Sequence, residues 1–157
     1  MADRGRSLVL DANILIRAVM GRRVRQLIKQ YSAEVELIAP DTAFLEAEEH
    51  LPRLCANLGL APDAAMAVYN KVCEVVQELP PPAYSERETE ARARIERRDP
   101  DDWEVLACAL ALDCPIWTED KDFFGAGVPT WTTDRIEIFL SGKEKPKLEI
   151  KTSLEDR

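Results

Sequence analysis

Asp11, Glu46, Asp102 and Asp120 are the residues of this chain whose types and positions could do chemistry together. Asp11 ends the apolar run Ser7-Leu8-Val9-Leu10 and is followed by Ala12-Asn13. Glu46 lies early in a helix-like stretch after Ala39-Pro40. Asp102 stands at the mouth of another helix, in Asp99-Pro100-Asp101-Asp102-Trp103, and Asp120 follows the short apolar run Pro115-Ile116-Trp117-Thr118. In a parallel sheet, strand ends and the starts of the following helices share one edge, where ligands bind. Carboxylates crowded there repel one another unless a hard cation bridges them, and oxygen-rich clusters of this kind suit Mg²⁺ or Mn²⁺. These residues point to metal-dependent chemistry on phosphates.

The elements that must position them can be read along the chain. Residues 7–10 form a short, buried strand by their apolar character. Asn13 is the expected N-cap of a helix carrying Ile14, Leu15, Ala18 and Val19. Gly21 interrupts it, and Val24, Leu27 and Ile28 continue at helical spacing in a second piece. Val35 to Ala39 reads as the second strand, and Asp41 as the cap of a helix running through Phe44, Leu45, Leu51 and Leu54. Gly59 is a stop signal, and Pro62 fits the first turn of a helix carrying Ala65, Val68, Val72, Val75 and Val76. Pro80-Pro81-Pro82 ends it.

Ser85-x-x-Glu88 is a capping-box pattern opening a charged, exposed helix to about Arg98. Asp101 with Glu104 resembles a second such box, which places Asp102 in a first helical turn where the helix dipole favours negative charge. That helix buries Val105, Leu106, Ala109 and Leu110. Pro115 to Thr118 reads as the third strand and Val128 to Thr132 as an edge-like fourth, with Asp134 capping a last helix through Phe139. Strands alternating with helices imply a three-layer α/β/α fold around a central parallel sheet of roughly four to five strands. The helical segments between the second and third strands read as an insertion-like module within residues 1–141, not as a separate domain. Residues 142–157 read as a charged tail alternating Lys and Glu.

Bulk composition narrows the classes. A chain of 157 residues with 46% hydrophobic residues can bury one full core. No apolar run reaches the roughly 20 residues of a membrane helix, and Met1-Ala2-Asp3-Arg4-Gly5-Arg6 lacks a secretory h-region, so the expected location is cytoplasmic. Cys55, Cys73, Cys108 and Cys114 form no Cys-x-x-Cys pair, and His50 is the only histidine, which counts against a zinc site. The cysteines read as reduced and mostly buried, and His50 as a surface helix residue. A net charge of −8 argues against a generic nucleic-acid coat. Yet residues 12–33 hold no acid, while Arg17, Arg22, Arg23, Arg25 and Lys29 give +5. This stripe is either a solvated helix face or a surface for a phosphate backbone.

Leu8-Val9-Leu10-Asp11-Ala12-Asn13-Ile14-Leu15 resembles the opening of a PIN domain. Asp101-Asp102-Trp103-Glu104-Val105-Leu106-Ala107-Cys108-Ala109-Leu110, followed by Ile116-Trp117-Thr118-Glu119-Asp120-Lys121-Asp122-Phe123, is similar to that family's second half. The resemblance runs from about residue 7 to 140 and implies a divalent-metal-dependent endoribonuclease using Mg²⁺ or Mn²⁺, with many such proteins being toxins of VapC-type toxin–antitoxin pairs. It implies that Asp11, Glu46, Asp102 and Asp120 are the catalytic acids, with Glu48 and Glu49 as rivals for the second and Asp99 and Asp101 for the third. It adds Asp122 as a fifth carboxylate, so that the implied metal ligands are Asp11, Asp102, Asp120 and Asp122. Asn13 and Thr118 match the polar residues that accompany the first and fourth acids at the substrate. Arg17, Arg22, Arg23 and Arg25 are candidates to hold the RNA backbone. The implied partners are RNA, an antitoxin-like protein and a second copy of the chain, with no membrane.

Residues 61–98 spend two helical stretches that smaller toxins of this type lack, so the resemblance speaks more for the nuclease fold than for the toxin role. Two other readings stay open. A phosphatase of similar layering would carry a second Asp two residues after its nucleophile, where this chain has Asn13. A non-catalytic module would let a partner segment fill the acidic groove.

Overall fold

The computed structural model describes residues 6–95 and 102–142. Its sheet starts with Ser7–Leu10 (β1), whose last three residues are fully buried. Leu8 and Leu10 point into one core and Val9 into another, as the two-residue period of a strand requires. The chain then forms two helices, Ala12–Met20 (α1) and Arg22–Tyr31 (α2), before Glu36–Pro40 (β2) pairs parallel to β1 with Leu8 opposite Leu37. Two longer helices follow, Asp41–Leu58 (α3) and Pro62–Val75 (α4). Gly59 ends α3 in the left-handed region at φ 68°, a conformation glycine adopts without steric cost.

The chain next re-enters the sheet. Val76–Leu79 (β3) pairs parallel to β2, Leu37 facing Val76. This corrects the expectation that Val76 continues the helix and that only helical segments separate the second strand from the third. Val75 is the last helical residue because the following four residues gain ladder hydrogen bonds along the open edge of β2. A single helical turn, Pro81–Tyr84 (α5), a 3₁₀ turn at Ser85–Arg87 and Glu88–Ile95 (α6) follow. Trp103–Leu112 (α7), Ile116–Trp117 (β4), a 3₁₀ turn at Lys121–Phe123, Thr130–Trp131 (β5) and Ile136–Leu140 (α8) complete the described chain. The third and fourth strands read from the sequence therefore correspond to β4 and β5, each shortened to two residues.

The sheet is parallel throughout, in the order β3-β2-β1-β4-β5, so the expected three-layer α/β/α architecture is present with five strands. One core packs α1–α4 and α8 against one face, through Leu8, Leu10, Ile14, Leu27, Phe44, Leu51, Trp117 and Leu140 among others. The second packs α5–α7 against the other face, through Val9, Ile38, Tyr84, Ile95, Leu106 and Ile116. The strand order reverses beside β1, which has β2 on one side and β4 on the other. Such a switch point leaves a crevice at the carboxyl ends of the strands.

Several expected caps are placed differently. Asp11, not Asn13, is the N-cap of α1: its backbone is extended and its carboxylate accepts the Ile14 amide at 3.0 Å. Asp41 is itself the first residue of α3 and accepts the Tyr84 hydroxyl at 2.5 Å. The Ser85 hydroxyl donates back to the Pro81 carbonyl at 2.5 Å, which occupies it away from α6. Asp134 accepts from Thr132 rather than from the start of α8. Asp99, Asp101 and the tail from residue 143 lie outside the described residues. Cys55, Cys108 and Cys114 are buried free thiols and Cys73 is an exposed one, and burial pushes the Cys114 thiol up to about 12. No described helix is long and apolar enough to cross a membrane.

Candidate active site

A cavity of about 400 Å³ opens at the switch point, lined by Asp11, Ala12, Asn13, Thr42, Ala43, Glu46, Arg92, Asp102, Trp103, Glu104, Val105 and Asp120. Each acid arrives by a different element. Asp11 follows β1 directly, and Thr118 and Asp120 follow the adjacent β4. Thr42, Ala43 and Glu46 share one face of α3 by their three- and four-residue spacing. Asp102 is the N-cap position of α7, where free amides and the helix dipole favour a negative charge.

Asp11 sits at the bottom, only 6% exposed, above a fully buried Thr118. The Thr118 hydroxyl donates to Asp11 Oδ2, while Asp11 Oδ1 accepts the Ile14 amide at 3.0 Å. Thr118 Oγ1 also accepts the Asp120 amide at 2.9 Å, and Asp120 Oδ1 accepts the Asp122 amide at 2.9 Å. Backbone and hydroxyl thus connect Asp122, Asp120, Thr118 and Asp11 in one chain. Burial pushes the Asp11 carboxyl up from 3.8 to about 6, against the lowering effect of Thr118 and Ile14, with the charges of Asp120 and Glu46 adding to the rise.

Carboxylate oxygens of Asp102, Asp120 and Asp122 all lie within 4.8 Å of one another. Asp122 is half-buried beside the cavity rather than in its lining. The donor set is entirely hard oxygen, which fits a divalent cation of the Mg²⁺ or Mn²⁺ type and leaves no soft ligand to favour zinc or copper.

The geometry also sorts the neighbouring acids. Glu46 lines the cavity, whereas Glu48 accepts the Tyr69 hydroxyl at 2.8 Å and faces α4. Glu119 accepts the Thr133 amide at 2.6 Å. Asn13 is exposed on the cavity wall. The basic stripe does not line the cavity. Arg23 pairs with Glu137 at 3.1 Å, and Arg25 donates to the Ala18 and Val19 carbonyls at the end of α1. Arg17 and Arg22 are exposed. His50 is half-buried on α3, its Nδ1 2.7 Å from an Arg53 nitrogen. Trp131 packs on Phe139, while the Trp103 ring forms part of the cavity wall. Arg92 is a lining residue that sequence reasoning passed over, and Trp103, which reads from the sequence as a core or interface ring, lines the cavity as well. Arg92 stands in a run rich in arginines and glutamates, and only tertiary placement separates it from Arg87 or Arg94.

The family model for the PIN domain matches residues 9–141. No curated protein matches the chain by sequence. Among solved structures, PAE2754 from Pyrobaculum aerophilum is similar with a TM-score of 0.65 at 18% identity, over 87% of this chain and 90% of that one. VapBC2 from Rickettsia felis, bound to a DNA fragment from its promoter, is similar with a TM-score of 0.65 at 10% identity, over 80% of this chain and 98% of that one. VapBC-1 from nontypeable Haemophilus influenzae gives a TM-score of 0.57 at 16% identity, over 82% and 98%. At these identities the solved structures speak for a shared fold, and the family match rests on the sequence itself. The chain belongs to the PIN-domain family, whose members are generally nucleases.

Proposed function

We propose that this protein is a divalent-metal-dependent endoribonuclease hydrolysing RNA phosphodiester bonds, with Asp11, Glu46, Asp102 and Asp120 as its catalytic acids. The observation that carries this reading is the oxygen-only cluster of Asp102, Asp120 and Asp122, within 4.8 Å of one another, of which Asp102 and Asp120 line one cavity with the buried Asp11. Asp11, Asp102, Asp120 and Asp122 would hold Mg²⁺ or Mn²⁺, and a divalent ion there supplies charge that stabilises the oxygens of an in-line displacement at phosphorus. The protein's own contribution is placement. Thr118 fixes the rotamer of Asp11 and, through the Asp120 amide, the spacing between the strand ends. Asn13, on the wall, is in position to bind substrate, and the exposed Arg17 and Arg22 can attract the RNA backbone from outside the cavity. Arg23 and Arg25 would do so only by giving up intramolecular partners.

The same reading makes the chain the toxin of a toxin–antitoxin pair, supported by its likeness in fold to the VapBC proteins, with an antitoxin-like protein and a second copy as partners and the cytoplasm as its place. The decisive assay is purified protein on RNA and on a phosphate monoester, with and without Mn²⁺. Mn²⁺-dependent cleavage of RNA alone supports the nuclease. Hydrolysis of the monoester alone would make the protein a phosphatase, and no turnover of either with bound Mn²⁺ would make it a binding module. Co-purification with the product of the adjacent reading frame tests the toxin role.

A further inference from the structure

One wall of the acidic cavity is unused by the chemistry above. Arg92, on α6, lines it beside Trp103, and among the described lining residues it is the cation facing five acids, Asp11, Glu46, Asp102, Glu104 and Asp120. Its described ion pair is with Glu88, one turn back on α6, whose carboxylate accepts from Arg92 Nε at 2.7 Å. Its guanidinium carbon stands 4.9 Å from the centroid of the Trp103 ring. Trp103 meets Tyr84 edge to face with centroids 5.8 Å apart, and Tyr84 is 2% exposed and tied to Asp41. The guanidinium is therefore held at one edge by Glu88 and on one face by a ring anchored in the core.

That leaves the outer fork of the guanidinium, Nη1 and Nη2, with no described hydrogen bond. Neighbouring arginines of α6 and its approach are committed elsewhere: Arg94 donates to the Ala126 carbonyl and to Glu90, and Arg87 to Glu90. A planar fork with two parallel N–H donors matches the oxygens of a phosphate, a geometry an ammonium cannot reproduce. Stacking on the indole strengthens the positioning. Resting on the nuclease reading, we propose that Arg92 is a substrate-binding residue, its Nη pair taking a phosphate of the RNA chain in the cavity while Glu88 and Trp103 fix the plane of its guanidinium.

The test compares wild type, Arg92→Ala, Arg92→Lys and Glu88→Gln with fluorescent oligo(U), read as binding over a salt series with Ca²⁺ in place of Mn²⁺ and as cleavage with Mn²⁺. Arg92→Ala is expected to weaken binding by roughly tenfold or more, since hydrogen bonds to charged groups are strong. Its slope of log affinity against log salt should fall by about 0.7, the value for one contact with a single strand. Arg92→Lys should restore the slope but not the affinity, and Glu88→Gln should weaken binding at an unchanged slope. Melting temperatures should match wild type, because an exposed ion pair contributes little. Wild type that cuts RNA while Arg92→Ala and Arg92→Lys keep its affinity, slope and kcat/KM would overturn the role of Arg92 and leave the nuclease standing. Wild type that neither binds nor cuts would overturn the nuclease reading itself.

Discussion

Thr118 stands between Asp11 and Asp120: its hydroxyl donates to the buried Asp11 carboxylate and accepts the Asp120 amide at 2.9 Å. One side chain thereby joins the ends of β1 and β4, the two strands at which the sheet order turns. Thr118→Val keeps the shape and removes both bonds. It leaves a buried carboxylate oxygen and a backbone amide short of a partner, which should cost about 1–3 kcal/mol of stability. Urea unfolding measures it. Thr118→Ser, which retains the hydroxyl, should recover most of the loss, and equal stability of Thr118→Val and wild type would show that the bond carries no weight.

The raised Asp11 carboxyl gives a pH dependence with a definite sign. Its folded value, about 6, lies above the ordinary 3.8, so the folded state holds this proton more tightly than the unfolded chain does. Stability of the metal-free protein should therefore fall as pH rises from about 4 to about 6, and the deficit should be complete above that window. Two pH units correspond to roughly 3 kcal/mol. Asp11→Asn removes the titration, so the difference in stability between variant and wild type should grow in the variant's favour between pH 4 and pH 7. A difference that stays flat across that range would contradict the burial argument.

Added Mn²⁺ should reverse this trend. A cation bound at the carboxylates competes with the proton on Asp11, so its stabilising effect should be larger at neutral pH than at pH 5. A ligand binding only the folded state at 100 times its dissociation constant adds about 2.7 kcal/mol. Thermal melts at both pH values, with and without a chelator, read the effect. Asp102→Asn and Asp120→Asn should each reduce it, and an unchanged melting temperature in millimolar Mn²⁺ would speak against a metal centre.

Cleavage should be more sensitive than stability. Groups that merely orient metal ligands are worth about 10–100-fold in activity or affinity. Loss of a ligand itself, in Asp11→Asn or Asp102→Asn, should therefore exceed about a hundredfold in RNA cleavage. The circular dichroism of both variants should remain that of the wild type. Robust cleavage by a clean Asp11→Asn preparation would place the reaction elsewhere.

Much of this site could be read before the fold was known, for a physical reason. The run Leu8-Val9-Leu10 can only be buried on both faces, so the polar Asp11 behind it has to mark a strand end. The same holds for Trp117-Thr118. β3 could not be read this way. Val76 and Leu79 are buried while Gln77 and Glu78 are exposed, a three-residue spacing that continues the pattern of α4 and breaks the alternation of a strand. Only the open edge of β2 decides between the two. Asn13 is the cap the sequence offers for α1 because Asp11 reads there as a strand end and candidate acid, whereas one aspartate serves as strand end, cap and cavity acid at once. Arg92 carried only half of its signal: Glu88, four residues before it on α6, is a local helical partner, whereas Trp103 meets it only through the packing of α6 on α7.

The three glutamates of α3 differ in what each one faces. Glu46 is solvent-exposed yet lines the cavity, so its carboxylate is accessible to substrate and contributes little to packing. Glu46→Gln should lower RNA cleavage strongly and leave the melting temperature almost unchanged. Glu48 accepts the hydroxyl of Tyr69, a residue only 2% exposed in α4. Glu48→Gln weakens that bond and should destabilise the protein by about 0.5–1.5 kcal/mol while RNA cleavage persists. Glu49, exposed and outside the cavity lining, should show neither effect when changed to Gln. Cleavage and melting measured on the three variants separate a site residue from a packing residue and from a solvated one. If Glu48→Gln abolished cleavage and Glu46→Gln did not, the second acid of the site would have to be reassigned, and α3 would need to rotate by roughly half a turn to present it.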